Sequence, residues 1–335
     1  MMQASGARRR RGIGMNRRWL HWLAGIAAAL LVLMVVAAWR APELAAWRWR
    51  LKSGTPEMST STAVLVPGLH WFDDYFAVAD LGGNEYAIGE PRYGQCNFSY
   101  LIVGTERALL FDTGPGVRDI TPVVRSLTNV PILAIPSHLH FDHVGNLSRF
   151  SDVGLPDLPA LRVQVRDGRF KFLFYQFLGF VEGFPLPSVT VTRWISPGSD
   201  IDLGGRRVRL ESVPGHTPDS VIVHDAKLDR VFAGDFIYPS QIYAFLPAAD
   251  LGAYADSADR VARLLDDGSS VYGAHGCDRL PDVGVPLLRR QDVLALAHAM
   301  RAASDGTASS HGIYPRVIPV NERMTLLAKY PWMTP

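Results

Sequence analysis

The pattern of apolar and polar residues divides the chain into one long apolar stretch near its N-terminus and a body of short elements. Eighteen uncharged residues, mostly Ala, Leu and Val, run from Trp22 to Trp39. This is close to the length that a helix needs to cross a bilayer. Trp19, Trp22 and Trp39 lie where aromatic belts lie in membrane proteins. We therefore predict a basic segment at 1–18, followed by a transmembrane anchor or uncleaved signal at 19–39.

The body alternates between strand-like and helix-like segments. Short apolar runs predict strands at Phe98–Val103, Ala108–Phe111, Ile132–Ile135, Val189–Ile195, Arg207–Val213, Val221–His224, Val231–Ala233 and at Val271 and Tyr272. Helices are predicted at Val117–Leu127, Tyr254–Leu265 and Pro286–Met300. Hairpins followed by mixed elements indicate an α/β protein with layered sheets flanked by helices. We expect a linker at 40–62, a catalytic domain at 63–312 and a C-terminal tail at 313–335.

Charge is distributed unevenly along the chain. Residues 1–52 hold ten Lys and Arg against one Glu, a net charge of +9, whereas the remaining residues hold 24 bases and 31 acids, a net charge of −7. An acidic body argues against a nucleic-acid enzyme. By the positive-inside rule, the arginines that precede the apolar stretch lie in the cytoplasm. We predict a single-pass membrane protein that contacts the lipid bilayer through this helix, with an extracytoplasmic (periplasmic) catalytic domain.

The sequence leaves open whether the N-terminal segment is cleaved and whether the two cysteines pair. Small residues at Val36-Ala37-Ala38 could form a signal-peptide cleavage site, so a cleaved, secreted form is the alternative to an anchor. Cys96 and Cys277 could pair in an oxidising compartment, but the sequence does not give the distance between them. The oligomeric state is also open.

A dense cluster of metal-binding residue types follows the predicted strand Ile132–Ile135. His138 and His140 would point to the same side of an extended turn and could reach one ion, whereas the adjacent Asp142 and His143 could diverge to a second ion. Clustered imidazoles and a carboxylate are costly to bury without a metal. The cluster therefore predicts a metal site.

Three later residues extend this cluster, and each follows a strand-like run among small residues. They are His216 in Val213–Pro218, Asp235 after Gly234, and His275 between Ala274 and Gly276. Glycine beside a ligand lets the backbone turn tightly and approach an ion. Taken with the first cluster, the three are best interpreted as further metal ligands.

With these motifs, the sequence resembles the metallo-β-lactamase-fold hydrolases, in their lactonase and glyoxalase II-like branch, from about Tyr93 to Gly276. The resemblance implies a four-layered αβ/βα sandwich with metals at the sheet edge. It also implies His138, His140 and His216 on one zinc, Asp142, His143 and His275 on the other, and Asp235 bridging both. Asp112, in Phe111–Gly114, is then expected to support the ligand loop without itself binding a metal.

The expected ligand set constrains the chemistry. Seven nitrogen and oxygen ligands without thiolate suit two Zn²⁺ per chain, with iron or manganese as alternatives. Two such ions can hold a bridging hydroxide that attacks a carboxylic ester, lactone or thioester, and Asp142 is placed to orient it. The alternatives are a mononuclear iron sulfur dioxygenase-like oxidoreductase and a β-lactamase-like amide hydrolase. Asp235 counts against a β-lactamase, because those relatives typically have Cys or Ser there.

Two features concern the substrate. Tyr238 follows Asp235 by three residues, the offset at which acyl-homoserine-lactone lactonases carry a catalytic tyrosine, so it is either a hydrogen-bond donor to the substrate or a packed aromatic residue. Seven of the fifteen residues from Phe170 to Phe184 are aromatic. This segment is interpreted either as core or a dimer face, or as an apolar substrate wall or a membrane-dipping segment. It favours a small-molecule substrate with an acyl chain over a small polar one.

Overall fold

Two mixed β-sheets form the centre of the computed structural model, which describes residues 17–42, 44, 54–56, 58–59, 63–276 and 282–333. In chain order the strands are β1 (Val64–Leu65), β2 (His70–Trp71), β3 (Ala77–Asp80), β4 (Glu85–Gly89), β5 (Phe98–Val103), β6 (Ala108–Phe111), β7 (Ile132–Ile135), β8 (Asp152–Pro156), β9 (Val165–Arg166), β10 (Arg169–Phe170), β11 (Arg193–Ile195), β12 (Asp200–Asp202), β13 (Arg207–Ser212), β14 (Val221–Asp225), β15 (Arg230–Gly234), β16 (Gln241–Ala244), β17 (Ser270–Gly273), β18 (Asp282–Val283), β19 (Leu287–Leu288), β20 (Arg316–Pro319) and β21 (Thr325–Ala328).

The helices are numbered in the same way, in chain order. They are α1 (Arg17–Trp39), α2 (Thr121–Leu127), α3 (Phe141–Val144), α4 (Pro159–Arg162), α5 (Phe174–Phe177), α6 (Leu251–Leu264) and α7 (Arg290–Ser304). Short 3₁₀ turns lie at Leu147–Arg149, Gly179–Glu182 and Pro331–Met333.

The first sheet has the strand order β11-β8-β7-β6-β5-β4-β3-β2 and the second the order β12-β13-β14-β15-β17-β19. Strands β6, β7 and β8 are parallel to one another, and so are β15 and β17. Strand β13 runs in the same direction as β15, because both are antiparallel to β14. The loops that follow these strands therefore leave each sheet at one edge.

The inner faces of the two sheets pack against each other, with Phe111 of the first sheet and Phe232 of the second in one buried cluster. The outer face of the first sheet packs on α2 through Leu110 and Val123, and that of the second packs on α6 through Ile222. Helix, sheet, sheet and helix make four layers. This confirms the predicted four-layered αβ/βα sandwich.

A buried ion network joins the two sheets at the edge opposite to those loops. Arg206 donates hydrogen bonds to Glu85 on β4 and to Asp225 on β14, and Arg230 donates to the other oxygen of Glu85 at 2.5 Å. Burial raises the pKa of Glu85 even though the two arginines act to lower it. Such charges are tolerated in the interior because each has a partner.

Several predicted bounds shift, for local reasons. The helix expected from Val117 begins at Thr121, where the Asp119 side chain accepts a hydrogen bond from the Thr121 amide at 2.9 Å. The helix expected from Pro286 begins at Arg290, because Leu287–Leu288 pairs with β17 as a strand. The strand expected at Val189–Ile195 is confined to Arg193–Ile195.

The C-terminal segment differs from the expected tail at 313–335. Arg316–Pro319 and Thr325–Ala328 form an antiparallel pair, and the second of these strands lies parallel to β16 in a three-stranded sheet. Leu326 and Ala328 are fully buried there. The burial of these alternating apolar residues makes the segment an integral part of the body.

Within the described part of the chain, the helix His21–Trp39 is long and apolar enough to cross a membrane, with a mean hydropathy of 2.4 and none of it buried. A signal sequence near an N-terminus meets the same criterion. Of the predicted basic segment 1–18, residues 1–16 lie outside the described residues, and Arg17 and Arg18 begin α1.

Candidate metal centre

The candidate ligands are brought together because their loops leave both sheets at the same edge. The loop after β7 carries His138, His140, Asp142 and His143, and α3 begins within it. In the second sheet, His216 follows β13, Asp235 follows β15 and His275 follows β17. The packing of one sheet on the other therefore determines how close the two sets of loops approach.

Two backbone positions allow this close approach. Asp112, at the end of β6, has a φ of 65°, which is uncommon for a residue other than glycine. Gly234, before Asp235, has a φ of 53°, and a Cβ there would lie 2.4 Å from the Cβ of Ser137. Only glycine fits at this point of contact between the two sheets.

The seven candidate ligands form two groups of converging side chains, and in each group the ligand atoms lie within 4.8 Å of one another. One group comprises His138, His140, His216 and Asp235, and the other comprises Asp142, His143 and His275. In the first group, His140 Nδ1 lies 2.8 Å from His138 Nε2 and 3.0 Å from His216 Nε2. All seven residues are buried.

The Asp235 carboxylate lies between the two groups. Its Oδ1 atom is 3.0 Å from His275 Nε2 and 3.3 Å from His143 Nε2. Its Oδ2 atom is 3.5 Å from His216 Nε2 and 3.9 Å from His138 Nε2. Each oxygen therefore faces the histidines of a different group.

Three of the histidines are oriented by acceptors on the far side of their rings. His216 Nδ1 lies 2.7 Å from the Tyr243 carbonyl, and His275 Nδ1 lies 3.0 Å from the Gln95 carbonyl. His143 Nδ1 lies 2.9 Å from Asp112 Oδ2. Carbonyls and carboxylates only accept, so Nδ1 carries the hydrogen and Nε2 is the ligand atom in the neutral ring.

Asp112 binds two parts of the ligand loop. Its Oδ1 accepts the backbone N–H of Ser137 at 2.5 Å, while its Oδ2 accepts from His143. Thr113 adds a hydrogen bond from its hydroxyl to the His143 carbonyl at 3.0 Å. Both oxygens of one buried carboxylate thus hold the His138–His143 loop in position.

Burial and neighbouring charges affect the two groups differently. Burial, with His143 and the other histidines, holds the pKa of His138 well below its usual value. Burial, followed by His216, lowers the pKa of His140 to about 3. Burial also acts against protonation of His143, but Asp142, Asp112 and Asp235 raise its pKa well above the usual value. Asp235 similarly raises the pKa of His275 despite burial.

Burial acts to raise the pKa of the Asp142 and Asp235 carboxyls, but nearby histidines hold both below their usual value. His143 lowers the pKa of Asp142, and His275 and His143 lower that of Asp235. The histidines of the first group are thus neutral. Those of the second group carry protons at the position that a cation would take. Metal binding to the second group would release those protons.

The donor set fits a divalent cation. Among the described residues, the buried atoms His143 Nε2 and Asp235 Oδ1 have no hydrogen-bond partner of adequate geometry, although they lie 3.3 Å apart. Buried polar atoms are rarely left unpaired in native proteins. A cation between them would satisfy both atoms.

A cavity of about 470 Å³ opens onto the candidate ligands His140, Asp142, His216 and Asp235. The rest of its lining is largely apolar: Pro56, Phe141, Leu178, Val181, Tyr243 and Leu246, with Thr55, Gln95 and Glu182 as polar members. Leu178, Val181 and Glu182 belong to the Phe170–Phe184 segment, whereas Phe170 and Phe177 are buried in the core of the first sheet. The segment therefore contributes both to the core and to the cavity wall.

Tyr238 is placed beside the site. Its ring contacts the His275 ring edge to face, with centroids 4.8 Å apart, but its hydroxyl donates a hydrogen bond to the Gln241 carbonyl at 2.7 Å. The side chain is buried, and it is not part of the cavity lining described above. Its catalytic role stays a prediction, and the hydroxyl would have to leave Gln241 to reach a substrate.

Two asparagines near the ligands were not predicted to have a role. Asn97 Nδ2 donates to the carbonyl of Asp142 at 2.9 Å and to its Oδ2 at 3.0 Å. Asn146 Nδ2 donates to the carbonyls of Thr113 and Arg118. An isolated asparagine forms no recognisable spacing pattern with the ligands, so the sequence could not have identified either of them.

Cys96, next to Asn97, is completely buried and disulfide-bonded. The expected partner, Cys277, lies outside the described residues. The Cys96 carbonyl accepts the Gly276 amide at 3.2 Å, so the strand-end loop that carries His275 is also tied to the chain near Cys96.

Comparisons with known proteins agree with this fold. Residues 94–270 match the family model of the metallo-beta-lactamase superfamily. The acyl-coenzyme A thioesterase MBLAC2 of Gallus gallus is 27% identical over 58% of this chain and 78% of its own length, and the Homo sapiens protein of the same name is 26% identical over the same shares. Among solved structures, a metallo-beta-lactamase from Pontibacter korlensis has a TM-score of 0.51 and 16% identity, covering 68% of this chain and 99% of that one.

The chain therefore belongs to the metallo-beta-lactamase superfamily, and it is a metal-dependent hydrolase.

Replacing Asp112 by Asn tests how the ligand loop is oriented. The single amide oxygen of Asn cannot accept hydrogen bonds from both the Ser137 N–H and His143 Nδ1. The His143 ring should therefore lose its fixed orientation. We expect metal affinity to fall about 10–100-fold, as is typical when a partner of a ligating histidine is lost. Competition with a chromophoric chelator measures the affinity, and circular dichroism checks that the fold is retained.

The matched control is Asp200→Asn, which removes an exposed carboxylate that pairs with Arg209. Equal metal affinity for Asp112→Asn, Asp200→Asn and the unaltered protein would contradict the role of Asp112.

Proposed function

We propose that the protein is a membrane-anchored dinuclear zinc hydrolase that cleaves an acyl thioester. The broader class expected from the sequence was a carboxylic ester, lactone or thioester. The observation that carries the proposal is the position of Asp235, with one oxygen toward each group of histidines, beneath a cavity with mainly apolar walls.

In this proposal the residues divide between two ions. His138, His140 and His216 would hold one, Asp142, His143 and His275 would hold the other, and Asp235 would serve both. Nitrogen and oxygen donors without thiolate suit zinc. Two Zn²⁺ ions held there would supply a water acidic enough to act as a nucleophile near neutral pH and would polarise the substrate carbonyl.

The side chains around the ions orient the reactants. Asp142 lines the cavity, and its Oδ2 accepts a hydrogen bond from Asn97 at 3.0 Å. Because the pKa of Asp142 is held below its usual value, the carboxylate is ionised at neutral pH and can accept a proton from the attacking water. Gln95 and Glu182 line the same cavity and contribute polar groups within it.

The thioester is favoured within the wider class for two reasons. The MBLAC2 relatives are named as acyl-coenzyme A thioesterases. In addition, Phe141, Leu178, Val181 and Leu246 give the cavity an apolar wall suited to an acyl chain. The Tyr238 hydroxyl, on which the lactonase interpretation rested, is engaged by Gln241.

The experiment is a hydrolysis panel on the full chain purified in detergent and loaded with zinc. We expect turnover of acyl-coenzyme A thioesters above that of lactones and β-lactams. Asp142→Asn still offers an amide oxygen to the ion, so it should keep most of its zinc but lower kcat on the best substrate about 10²–10⁴-fold, which is the usual contribution of a positioned acid or base. The control, Asp157→Asn, removes an exposed carboxylate that pairs with Arg162 and should leave kcat unchanged.

Two results would contradict the proposal. The first is full activity of Asp142→Asn. The second is a purified protein that contains one iron per chain and consumes oxygen with a thiol substrate, which would favour the iron sulfur dioxygenase alternative.

The membrane anchor is supported by the apolar helix His21–Trp39, by its flanking tryptophans and by the arginines that precede it. In this proposal the cavity lies outside the cytoplasm, where a disulfide at Cys96 would persist.

A reporter fusion after Thr62 tests the topology. We expect alkaline phosphatase, which is active only outside the cytoplasm, to be active in this fusion, and green fluorescent protein at the same position to be dark after export in unfolded form. A fusion at Met15 provides the opposite control. Phosphatase activity confined to the Met15 fusion would refute the proposed orientation.

A further inference from the structure

Part of the predicted linker forms one side of the metal cavity. Thr55 and Pro56 line it together with His140, Asp142 and Asp235. These two residues and their described neighbours Gly54, Met58 and Ser59 are called the linker wall below. They follow α1 in the sequence and precede β1, so the wall lies outside the two sheets that carry the candidate ligands.

The linker wall is attached to the body at both of its ends. At one end, Gly54 packs on Gly183: a Cβ on Gly183 would lie 2.0 Å from the Gly54 carbonyl oxygen. At the other end, Met58 forms an antiparallel bridge with Tyr93, and the Ser59 amide donates to the Arg92 carbonyl at 2.8 Å. These contacts give the wall a defined position.

The same contacts connect the wall to the polar residues of the cavity. Tyr93 is fully buried, and its hydroxyl donates to Glu182 Oε2 at 2.7 Å. Gln95 donates from Nε2 to the Tyr93 hydroxyl at 3.1 Å, and its carbonyl accepts from His275 Nδ1 at 3.0 Å. The wall is therefore linked through Tyr93 to two cavity-lining residues and to a candidate ligand.

The wall faces the apolar part of the cavity. Pro56 lies in the same lining as Leu178 and Val181, which come from the Phe170–Phe184 segment. Gly183, against which Gly54 packs, ends the 3₁₀ turn of that segment. An alkyl chain between these two segments would be shielded from water on both sides. Each methylene so buried strengthens binding about fourfold.

The sequence position of the wall relates the cavity to the membrane. Residues 40–53 separate Trp39, the last residue of α1, from Gly54. Fully extended, this connection spans at most about 50 Å. If α1 is the anchor, the cavity stays within that distance of the bilayer, where long-chain acyl thioesters concentrate.

We propose that the linker wall is a specificity-determining element, which, with the Leu178–Val181 wall, receives the acyl chain and makes the enzyme selective for long-chain acyl thioesters. This inference rests on the proposed function. It assigns the selectivity to a segment next to the anchor, outside the matched family region of 94–270.

Displacing the wall from a residue outside the cavity lining tests the inference. Gly183→Ala places a Cβ against the Gly54 carbonyl. We expect the ratio of kcat/KM for lauroyl-coenzyme A to that for acetyl-coenzyme A to fall at least tenfold, through a higher KM for the lauroyl substrate. Thr55→Trp, which narrows the cavity without backbone strain, should lower the same ratio.

The matched control is Gly198→Ala. Gly198 also has a positive φ, 84° against 75° for Gly183, but a Cβ there would meet nothing within 4 Å. It carries a similar backbone strain without touching the wall, so the ratio should be unchanged.

A second readout does not depend on hydrolysis. Binding of pyrenedodecanoic acid to the metal-free full chain, followed by fluorescence, should weaken at least tenfold in Gly183→Ala and remain unchanged in Gly198→Ala. If the unaltered protein hydrolyses no acyl-coenzyme A but this binding pattern holds, the proposed function fails, and of the inference only the linker wall as an acyl-chain binding element stands.

The converse results overturn the inference. If the unaltered protein hydrolyses lauroyl-coenzyme A, and both Gly183→Ala and Thr55→Trp keep its selectivity, the proposed function stands and the inference fails. If the unaltered protein neither hydrolyses acyl-coenzyme A nor binds the pyrene probe, both fail.

Discussion

The arrangement of the site depends on one carboxylate, that of Asp235, which lies between two groups of buried histidines. It can reach both groups because Gly234 brings the end of β15 into contact with the ligand loop of the first sheet at Ser137. The two sheets contribute different histidines, and their close packing sets the distances across the site. The metal site is thus a consequence of how the two sheets pack.

The electrostatics of the buried site require a positive charge. Asp112, Asp142 and Asp235 lie close together, and the pKa of Asp142 and of Asp235 is held below its usual value. In their vicinity the pKa of His143 is raised well above its usual value, so that histidine retains a proton beside the carboxylates. Divalent cations can replace such protons and satisfy the polar atoms that lack a partner.

The alternation of strands and helices and the His138–His143 metal cluster could be predicted because both depend on local patterns, whereas the four-layered sandwich and the division of the ligands into two groups followed from the family resemblance. Apolar runs gave the strands Phe98–Val103, Ala108–Phe111 and Ile132–Ile135 at their observed bounds. The spacing from His138 to His143 indicated a metal site directly.

Features that depend on tertiary contacts or on the detailed backbone path were not accessible from sequence patterns. The hydrogen bonds of Asn97 to Asp142 join residues far apart in the chain. The Tyr238 hydroxyl donates to the Gln241 carbonyl because of the local backbone conformation. The three-residue offset of Tyr238 from Asp235 could not reveal this hydrogen bond. A Ser/Thr/Gly/Pro-rich composition predicted only a linker, whereas Thr55 and Pro56 line the cavity.

The most direct test of the central claim is to count the metal ions with and without the Asp235 carboxylate. The full chain is saturated with zinc and dialysed, and zinc per folded chain is measured by inductively coupled plasma mass spectrometry. We expect about two zinc ions in the unaltered protein and fewer than one in Asp235→Ala, because losing a shared ligand weakens both sites. Two zinc ions retained by Asp235→Ala, or a single ion in the unaltered protein, would contradict a centre built on a shared carboxylate.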